Sequence, residues 1–354
     1  MSHEFDSGFT VREPAWHGLG LTLDDHPDNW ADARKYAGLL WEPAEDVIYR
    51  RIRIDAESAA LIPGVIPTDD PEVFMAPLSN HKLITRNDSG AELSVQRTEF
   101  PLIHHATMGE ILDAVADEAG ATFKFETAGS LQGGRKVWAL ARLDEPFQIP
   151  GDPSLTFPYF ALTNAHDGEG ACRVIPTQVR IVCQNTWKAA DSEANRHGYE
   201  VVIRHAGNVE ARIEQAMVSL RNSREAAKSY AAEMTHLAGL NYSDEILATF
   251  LEAFIPTPEP GTFDAAWLPA DRATKRNICR RMLAESPTLA PLPDTAYKLV
   301  QLTGEYLDHL RRLPSDEVER KDVYLKRTLL GHGPGDGIKA DMINVARELC
   351  TVGV

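Results

Sequence analysis

The chain has 354 residues, of which 43% are hydrophobic and 25% are charged, which excludes a mostly disordered protein. A net charge of −16 disfavours nucleic-acid binding unless the basic side chains are gathered in one place. Residues 171–230 are such a place, because they hold 9 basic and 6 acidic side chains, whereas the segments 1–75, 76–170 and 231–354 are each net negative.

The N-terminus has neither the basic start nor the apolar block of a signal peptide. No apolar run approaches the roughly 20 residues that span a bilayer. We therefore expect a cytoplasmic protein without membrane contact. The spacings of the four cysteines match no metal motif, and the pair His104-His105 lacks an acidic partner at metal-ligand spacing. We expect free thiols, no metal and no cofactor.

The first elements alternate between loops and strands. The chain up to about Tyr36 is rich in Gly, Pro and Asp, and it predicts irregular structure. Residues Val47–Ile54 alternate as a strand. A hairpin follows, with strands at Lys82–Arg86 and Ala91–Arg97 joined by the turn sequence Asn87-Asp88-Ser89-Gly90.

The next segment predicts one helix and a clear hairpin. Thr107 is expected to cap a helix that ends at Ala119, and Glu110 completes its capping box. The strands Thr122–Leu131 and Arg135–Leu143 are separated by a glycine-rich turn, which is typical of a β-hairpin.

Two more apolar segments continue this pattern. Phe157–Thr163 and Cys172–Val182 are predicted strands, and Pro176 indicates an edge or a bulge. A helix is expected to begin within Gln184–Glu193. The middle of the chain is therefore predicted to be an antiparallel β-meander.

The second half is predicted to be helical. Ala206–Gly239 has the pattern of one long helix that stops at the glycine. Shorter helices are expected at Ser243–Phe254, Ala270–Glu285, Asp294–Leu313, Asp316–Leu330 and Ile338–Cys350. Together these patterns predict an α+β fold, with an antiparallel meander core, a long helix and a helical C-terminal region. The proline-rich stretch after residue 255 suggests an α+β core over 1–255 and a helical subdomain over 256–354.

Basic, aromatic and amide side chains follow the last predicted strands. Cations can neutralise phosphates, and an aromatic ring can stack on a base, as in sites for single-stranded nucleic acid. The candidate nucleic-acid-binding residues here are Arg180, Asn185, Trp187, Lys188, Arg196 and Arg204. A second basic surface is predicted on one helix face, where Arg272, Arg276 and Arg280 recur every four positions.

The same region also permits an enzymatic interpretation. Cys183 would be a thiolate nucleophile, His166 or His205 its base, and Asp167 or Asn185 the orienting group. Cys183 ends an apolar run, however, which favours a buried structural thiol. A protein without catalytic activity is therefore the preferred interpretation.

Three strings carry a resemblance to a known family. They are Ala15-Trp16-His17-Gly18-Leu19-Gly20, Leu162-Thr163-Asn164-Ala165-His166-Asp167-Gly168 and Val179-Arg180-Ile181-Val182-Cys183-Gln184-Asn185-Thr186. They resemble phage- and plasmid-related proteins that carry a domain of unknown function. The resemblance implies a mobile-element origin and supplies no catalytic residues. The order of elements is also similar to that of single-strand annealing (Rad52-like) phage recombination proteins, which form rings.

These observations favour a phage- or plasmid-encoded DNA-transaction protein that binds single-stranded DNA. The fold analogy adds the expectation that the protein anneals strands and forms a homo-oligomer or ring. One alternative is a hydrolase or other enzyme that uses the cluster of His166, Asp167 and Cys183. Another is a non-catalytic assembly or host-interaction protein, which the acidic composition would suit.

Overall fold

The computed structural model describes residues 5–12, 19–119, 123–143, 146–180, 185–188, 201–205, 211, 223–257, 268–307 and 335–352. Sheets that are antiparallel except for one parallel strand pair near the N-terminus occupy the earlier part of the chain and helices the later part, which confirms the predicted α+β class.

The strands in chain order are β1 (Phe5–Val11), β2 (Leu21–Leu23), β3 (Pro43–Arg53), β4 (Ile66–Pro67), β5 (Val73–Arg86), β6 (Glu92–Arg97), β7 (Phe123–Leu131), β8 (Lys136–Leu143), β9 (Phe147–Gln148), β10 (Leu155–Ala165), β11 (Cys172–Arg180), β12 (Asn185–Lys188) and β13 (Val201–Ile203). The helices are α1 (Trp30–Ala37), α2 (Ala56–Ala60), α3 (His105–Ala119), α4 (Ser223–Ala238), α5 (Asp244–Phe254), α6 (Leu268–Glu285), α7 (Ala296–Glu305) and α8 (Gly335–Val352).

A nine-stranded sheet, called the large sheet below, has the order β12-β11-β10-β8-β7-β1-β2, with β13 also paired to β11 and β9 to β10. From β7 to β12 the neighbours are antiparallel and follow the chain, apart from the short β9. This confirms the predicted meander.

The prediction of an irregular N-terminus was wrong. Strand β1 adds antiparallel to the far side of β7, and α1 packs below it with the buried Trp30. The high glycine content of this part of the chain led to the prediction of a loop in place of this strand. Gly8 is needed there because a Cβ at that position would lie 2.8 Å from the carbonyl oxygen of Ala128 on the neighbouring strand.

Helix α3 begins at His105, so the predicted cap at Thr107 was wrong. The carboxylate of Glu42 accepts hydrogen bonds from the backbone N–H of His105 at 2.6 Å and of Ala106 at 3.2 Å. A side chain distant in sequence thus satisfies the first donors of the helix, which local pattern cannot indicate.

The predicted helix within Gln184–Glu193 was wrong at its described residues. Asn185–Lys188 is β12, which pairs with the open edge of β11. The predicted long helix at Ala206–Gly239 is confirmed at α4, and most of its earlier residues lie outside the described ranges. The predicted helix at Asp316–Leu330 lies wholly outside them.

A four-stranded sheet, called the small sheet below, has the order β3-β5-β4, with β6 also paired to β5. It contains the predicted strand around Val47 and the predicted hairpin, although β5 is longer than expected. Its buried residues Ile84 and Leu93 join the core of the large sheet together with α1 and α3.

A second core cluster is built by the C-terminal helices, with Phe250 and Phe254 on α5 packed together with Leu299 and Leu302 on α7. Helices on both sides of residue 255 therefore share one cluster, and the predicted domain boundary there stays a prediction. Within the described ranges, no helix is long and apolar enough to cross a membrane.

Candidate functional site

Two short strands lie along one edge of β11. Strand β12 pairs with its end, where Arg180 lies opposite Asn185 and Gln178 lies opposite Trp187. Strand β13 pairs with its start, where Cys172 lies opposite Ile203. The backbone register thus brings the candidate positions 180, 185, 187 and 188 together on two adjacent strands.

Arg204 is at the other end of the same edge. It is exposed and directly follows Ile203, which lies opposite Cys172. A strand rises about 3.3 Å per residue, so the rungs at Cys172 and Arg180 are about 26 Å apart. The predicted residue Arg196 lies outside the described ranges.

The three arginines of the second predicted basic surface all lie on α6, but their surroundings differ. The guanidinium of Arg276 donates to the carbonyl oxygen of Ile255 and to the hydroxyl of Thr257, and it forms an ion pair with Glu252. The side chain of Arg280 is exposed and donates to Asn277. Arg272 is half-buried. Arg276 is thus engaged within the fold.

The most buried polar group in this region is a pair of histidines. His166, at the end of β10, and His105, at the start of α3, are both 0% exposed. Their Nε2 atoms are 3.2 Å apart, so one ring donates its Nε2–H to the Nε2 lone pair of the other. The Nδ1 atoms of both rings are buried and find no hydrogen-bond partner among the described residues.

Burial keeps this pair neutral. It lowers the pKa of His105 to about 4, with Glu42 opposing the shift and Arg34 adding to it. The pKa of His166 is lowered well below its usual value, first by burial and then by the neighbouring His105 and His205. Two imidazolium ions this close in the protein interior would repel each other with little solvent screening.

Asn164 connects the third histidine to the same strand end. Its side-chain amide donates to the carbonyl oxygen of Ile103 at 3.0 Å, and its Oδ1 is 3.1 Å from Nε2 of His205. The Nδ1 of His205 is 2.9 Å from the carbonyl oxygen of Pro101, so both ring nitrogens face an acceptor oxygen, and the neutral ring donates to one of the two. Burial lowers the pKa of His205 as well.

Asp167 does not orient either histidine. Its carboxylate forms an ion pair with Lys136 at 2.9 Å, and it also accepts from the backbone N–H of Glu169. The side chain of Gln96 donates to its carbonyl oxygen at 2.9 Å. These contacts shape the turn between β10 and β11, and they give Asp167 a structural role.

The enzymatic interpretation also required Cys183, which lies outside the described ranges. Cys172, Cys279 and Cys350 are free and buried. Burial raises the pKa of the Cys172 thiol to about 12, so that thiol is inert as a nucleophile at neutral pH. Within the described residues, no group of three or more His, Cys, Asp and Glu side chains could hold a metal ion.

Three residues of the histidine cluster were not candidates on sequence grounds. Trp41 packs edge-on against His105 with ring centroids 4.3 Å apart, and Glu42 caps α3 beneath it. His105 itself was considered only as half of a metal pair. Nothing in the local sequence relates these residues to His166, because 61 residues separate the two histidines.

A family model described as "Domain of unknown function (DUF932)" matches residues 92–330. The matched residues include β10, β11 and all three histidines of the cluster. No curated protein and no solved structure matches the chain.

Proposed function

The chain belongs to the family of proteins that carry the domain of unknown function DUF932, and from that premise we propose that it binds single-stranded DNA along the outer edge of β11. The observation that carries this proposal is that β12 and β13 pair with the same edge one after the other. Three cationic positions of the net-positive segment, 180, 188 and 204, thereby lie along one edge of the large sheet.

Each candidate residue has a chemical role in this proposal. Arg180, Lys188 and Arg204 neutralise phosphates along a path of about 26 Å, and Arg196 belongs to the same basic segment. Trp187 stacks on a base, while the amide of Asn185 hydrogen-bonds to sugar or phosphate. Cations that contact successive phosphates, together with an aromatic ring that stacks on a base, suit a single strand better than a duplex, because the bases of a duplex are already stacked.

Helix α6 offers a second, weaker contact. Arg272 and Arg280 supply the cations of this second surface, while Arg276 contributes less because its guanidinium is already bonded to Glu252. A phosphate contact from Arg276 would require breaking an ion pair in which its side chain is only 14% exposed.

The biological setting is a further part of the proposal. The resemblance to phage- and plasmid-related proteins supports a DNA-transaction role in a mobile element, and the meander followed by helices supports strand annealing by an oligomer or ring. Buried free thiols suit a reducing compartment, which supports a cytoplasmic location.

The test is a gel shift with single-stranded and duplex DNA at several salt concentrations. We expect single-strand binding with a log–log salt slope of about −0.7 per phosphate contact. The double variant Arg180→Gln/Lys188→Gln should flatten that slope by more than one unit. Arg97→Gln, an exposed arginine on β6, is the matched control and should leave the slope unchanged.

Stacking is tested separately. Trp187→Ala should weaken binding by roughly 1–3 kcal/mol with little change in the salt slope, and Trp187→Phe should retain most of the affinity. The proposal fails if no DNA is retained at low salt, or if the two cation replacements behave like Arg97→Gln.

A further inference from the structure

Strand β3 presents an open edge. It is the terminal strand of the small sheet and pairs with β5 from Pro43 to Arg53. Among the described residues, no strand pairs with its other edge. Only Pro43 is buried, and most of the remaining side chains are exposed, including Val47 at 58%. A long exposed edge is a template for adding another strand.

The charges along β3 are divided between its two halves. Glu45 and Asp46 are acidic, and Arg50 and Arg51 are basic, with the apolar Val47 and Tyr49 between them. The carboxylate of Glu45 forms an ion pair with Lys82 at 2.6 Å, and that of Asp46 accepts from the hydroxyl of Thr85 at 2.7 Å, so each keeps one further oxygen for a partner. Within the described part of the chain, neither Arg50 nor Arg51 forms an ion pair. A strand with this order is complementary to a second copy of itself in the antiparallel direction, where each acidic half meets a basic half.

Backbone geometry restricts the register of such a pair. In an antiparallel pair, two residues directly opposite each other either both point their N–H and C=O groups at the partner or both point them away. When a strand pairs with its own copy, opposite residues must therefore be an even number of positions apart. That condition excludes half of all registers.

Only one of the remaining registers matches both acidic residues with arginines. It places Glu45 opposite the copy's Arg51, Asp46 opposite Arg50, and Val47 opposite Tyr49, with Ile48 on the two-fold axis. This register is centred on β3, so the whole strand from Pro43 to Arg53 overlaps its copy. The pairing of β3 with β5 shifts register at the same point, between Val47 and Tyr49, because β5 has three more residues there than β3. If the two-fold axis moves by two residues along the strand, either Arg50 or Asp46 lies opposite the same residue of the other copy.

We infer that β3 is the contact between two copies of this chain, which pair antiparallel about a two-fold axis through Ile48 and join their small sheets into one. The partner surface is identical on both copies, as a two-fold interface requires. The contact lies before the residues matched by the family model and on the sheet that holds no proposed DNA contact. It therefore goes beyond DNA binding and does not depend on it.

Sedimentation of the full chain tests the contact. We expect the natural sequence to form a dimer, and Arg50→Glu/Arg51→Glu to raise its dissociation constant by about 30-fold or more, because four cross-strand ion pairs become repulsive. Arg97→Glu reverses one charge on another exposed strand and should leave the dimer intact. The additional changes Glu45→Arg/Asp46→Arg in the double variant should restore it.

Cross-linking tests the register. With Ile48→Cys, the two introduced thiols face each other across the axis at about 5 Å between Cβ atoms, and a short thiol cross-linker should join the copies. With Arg50→Cys, the two thiols are offset by about 13 Å along the strands and should not be joined.

The inference is overturned if the natural sequence sediments as a monomer, or if Arg50→Glu/Arg51→Glu remains a dimer with an unchanged circular dichroism spectrum. Efficient cross-linking through Arg50→Cys and not through Ile48→Cys would overturn the register. Each result is independent of the gel shift, so failure of one proposal does not hide failure of the other.

Discussion

Strands β3 and β10 have the same length and opposite surroundings. Each has 11 residues. Most side chains of β10 are buried, and its strand lies inside the large sheet between β8 and β11. Most side chains of β3 are exposed, and β3 is an edge strand of the small sheet. Length alone therefore says nothing about what a strand does.

The composition of the two strands explains the difference. The sequence of β10, LTFPYFALTNA, has apolar residues on both faces, which is typical of a strand covered on both sides. The sequence of β3, PAEDVIYRRIR, has charges on both faces, and a charged edge is the usual protection against unwanted pairing. In β3 the charges are arranged so that they also specify one partner.

The largest expected difference between the two strands is in stability. Phe160 on β10 is 2% exposed and belongs to the first core cluster. Phe160→Ala should lower the free energy of unfolding by about 3–5 kcal/mol, because it removes buried apolar area and leaves a cavity. Val95→Ala on the small sheet, at a residue 57% exposed, is the control. It should change stability by less than about 0.5 kcal/mol.

Urea denaturation measures both changes. Equal losses for Phe160→Ala and Val95→Ala would mean that the small sheet is as deeply packed in solution as the large one, and the contrast between the two sheets would be lost.

The next effect is a dependence of stability on pH that comes from the end of β10. Burial lowers the pKa of His105 to about 4 and lowers that of His166 as well. In the unfolded chain both would bind protons near pH 6.5. As the pH falls from about 6.5 towards 4, the unfolded chain takes up protons that the folded chain does not. The free energy of unfolding should then fall by about 1.4 kcal/mol per pH unit for each such group.

His166→Gln tests this assignment, since a glutamine amide can still hydrogen-bond to His105 but cannot be protonated. Its stability should fall with pH less steeply than that of the natural sequence, by about the contribution of one group. His236→Gln replaces an exposed histidine on α4 and should leave the slope unchanged. Equal slopes for all three proteins would contradict a neutral, buried His166.

The fold was predictable where the pattern is local. The hairpin of β7 and β8 was indicated by alternation on both sides of a glycine-rich turn, and the turn is built on Gly133 and Gly134 with positive φ. Helix α5 was predicted over Ser243–Phe254, and the structure shows its cap, where the hydroxyl of Ser243 accepts from the backbone N–H of Ile246.

Features that depend on distant contacts were missed. Strand β1 exists because the far edge of β7 accepts it, and β12 exists because β11 has an open edge. The start of α3 is set by Glu42, and the histidine pair joins residues from two separate elements. The sequence identified His166 and His205 as candidates from their position after a strand, but it could not identify their neighbours.

The smallest effect concerns how the two sheets are held together. Ser94 on β6 donates to the carbonyl oxygen of His166 at 2.6 Å, and Gln96 donates to that of Asp167. Ser94→Ala should lower the free energy of unfolding by about 1 kcal/mol, because a part-buried carbonyl loses its donor. Ser89→Ala, in the exposed turn before β6, should change it by less than about 0.5 kcal/mol.

Urea denaturation of Ser94→Ala, Gln96→Ala and the double variant gives the coupling between the two side chains. Because Gln96 also donates to the hydroxyl of Ser94 at 3.1 Å, a loss in the double variant that is smaller than the sum of the single losses would mean that the two donors hold the β10–β11 turn as one unit, and that the small sheet is attached to the large sheet at that turn. If Ser94→Ala matches Ser89→Ala, the small sheet is instead held through its shared apolar core residues, Ile84 and Leu93.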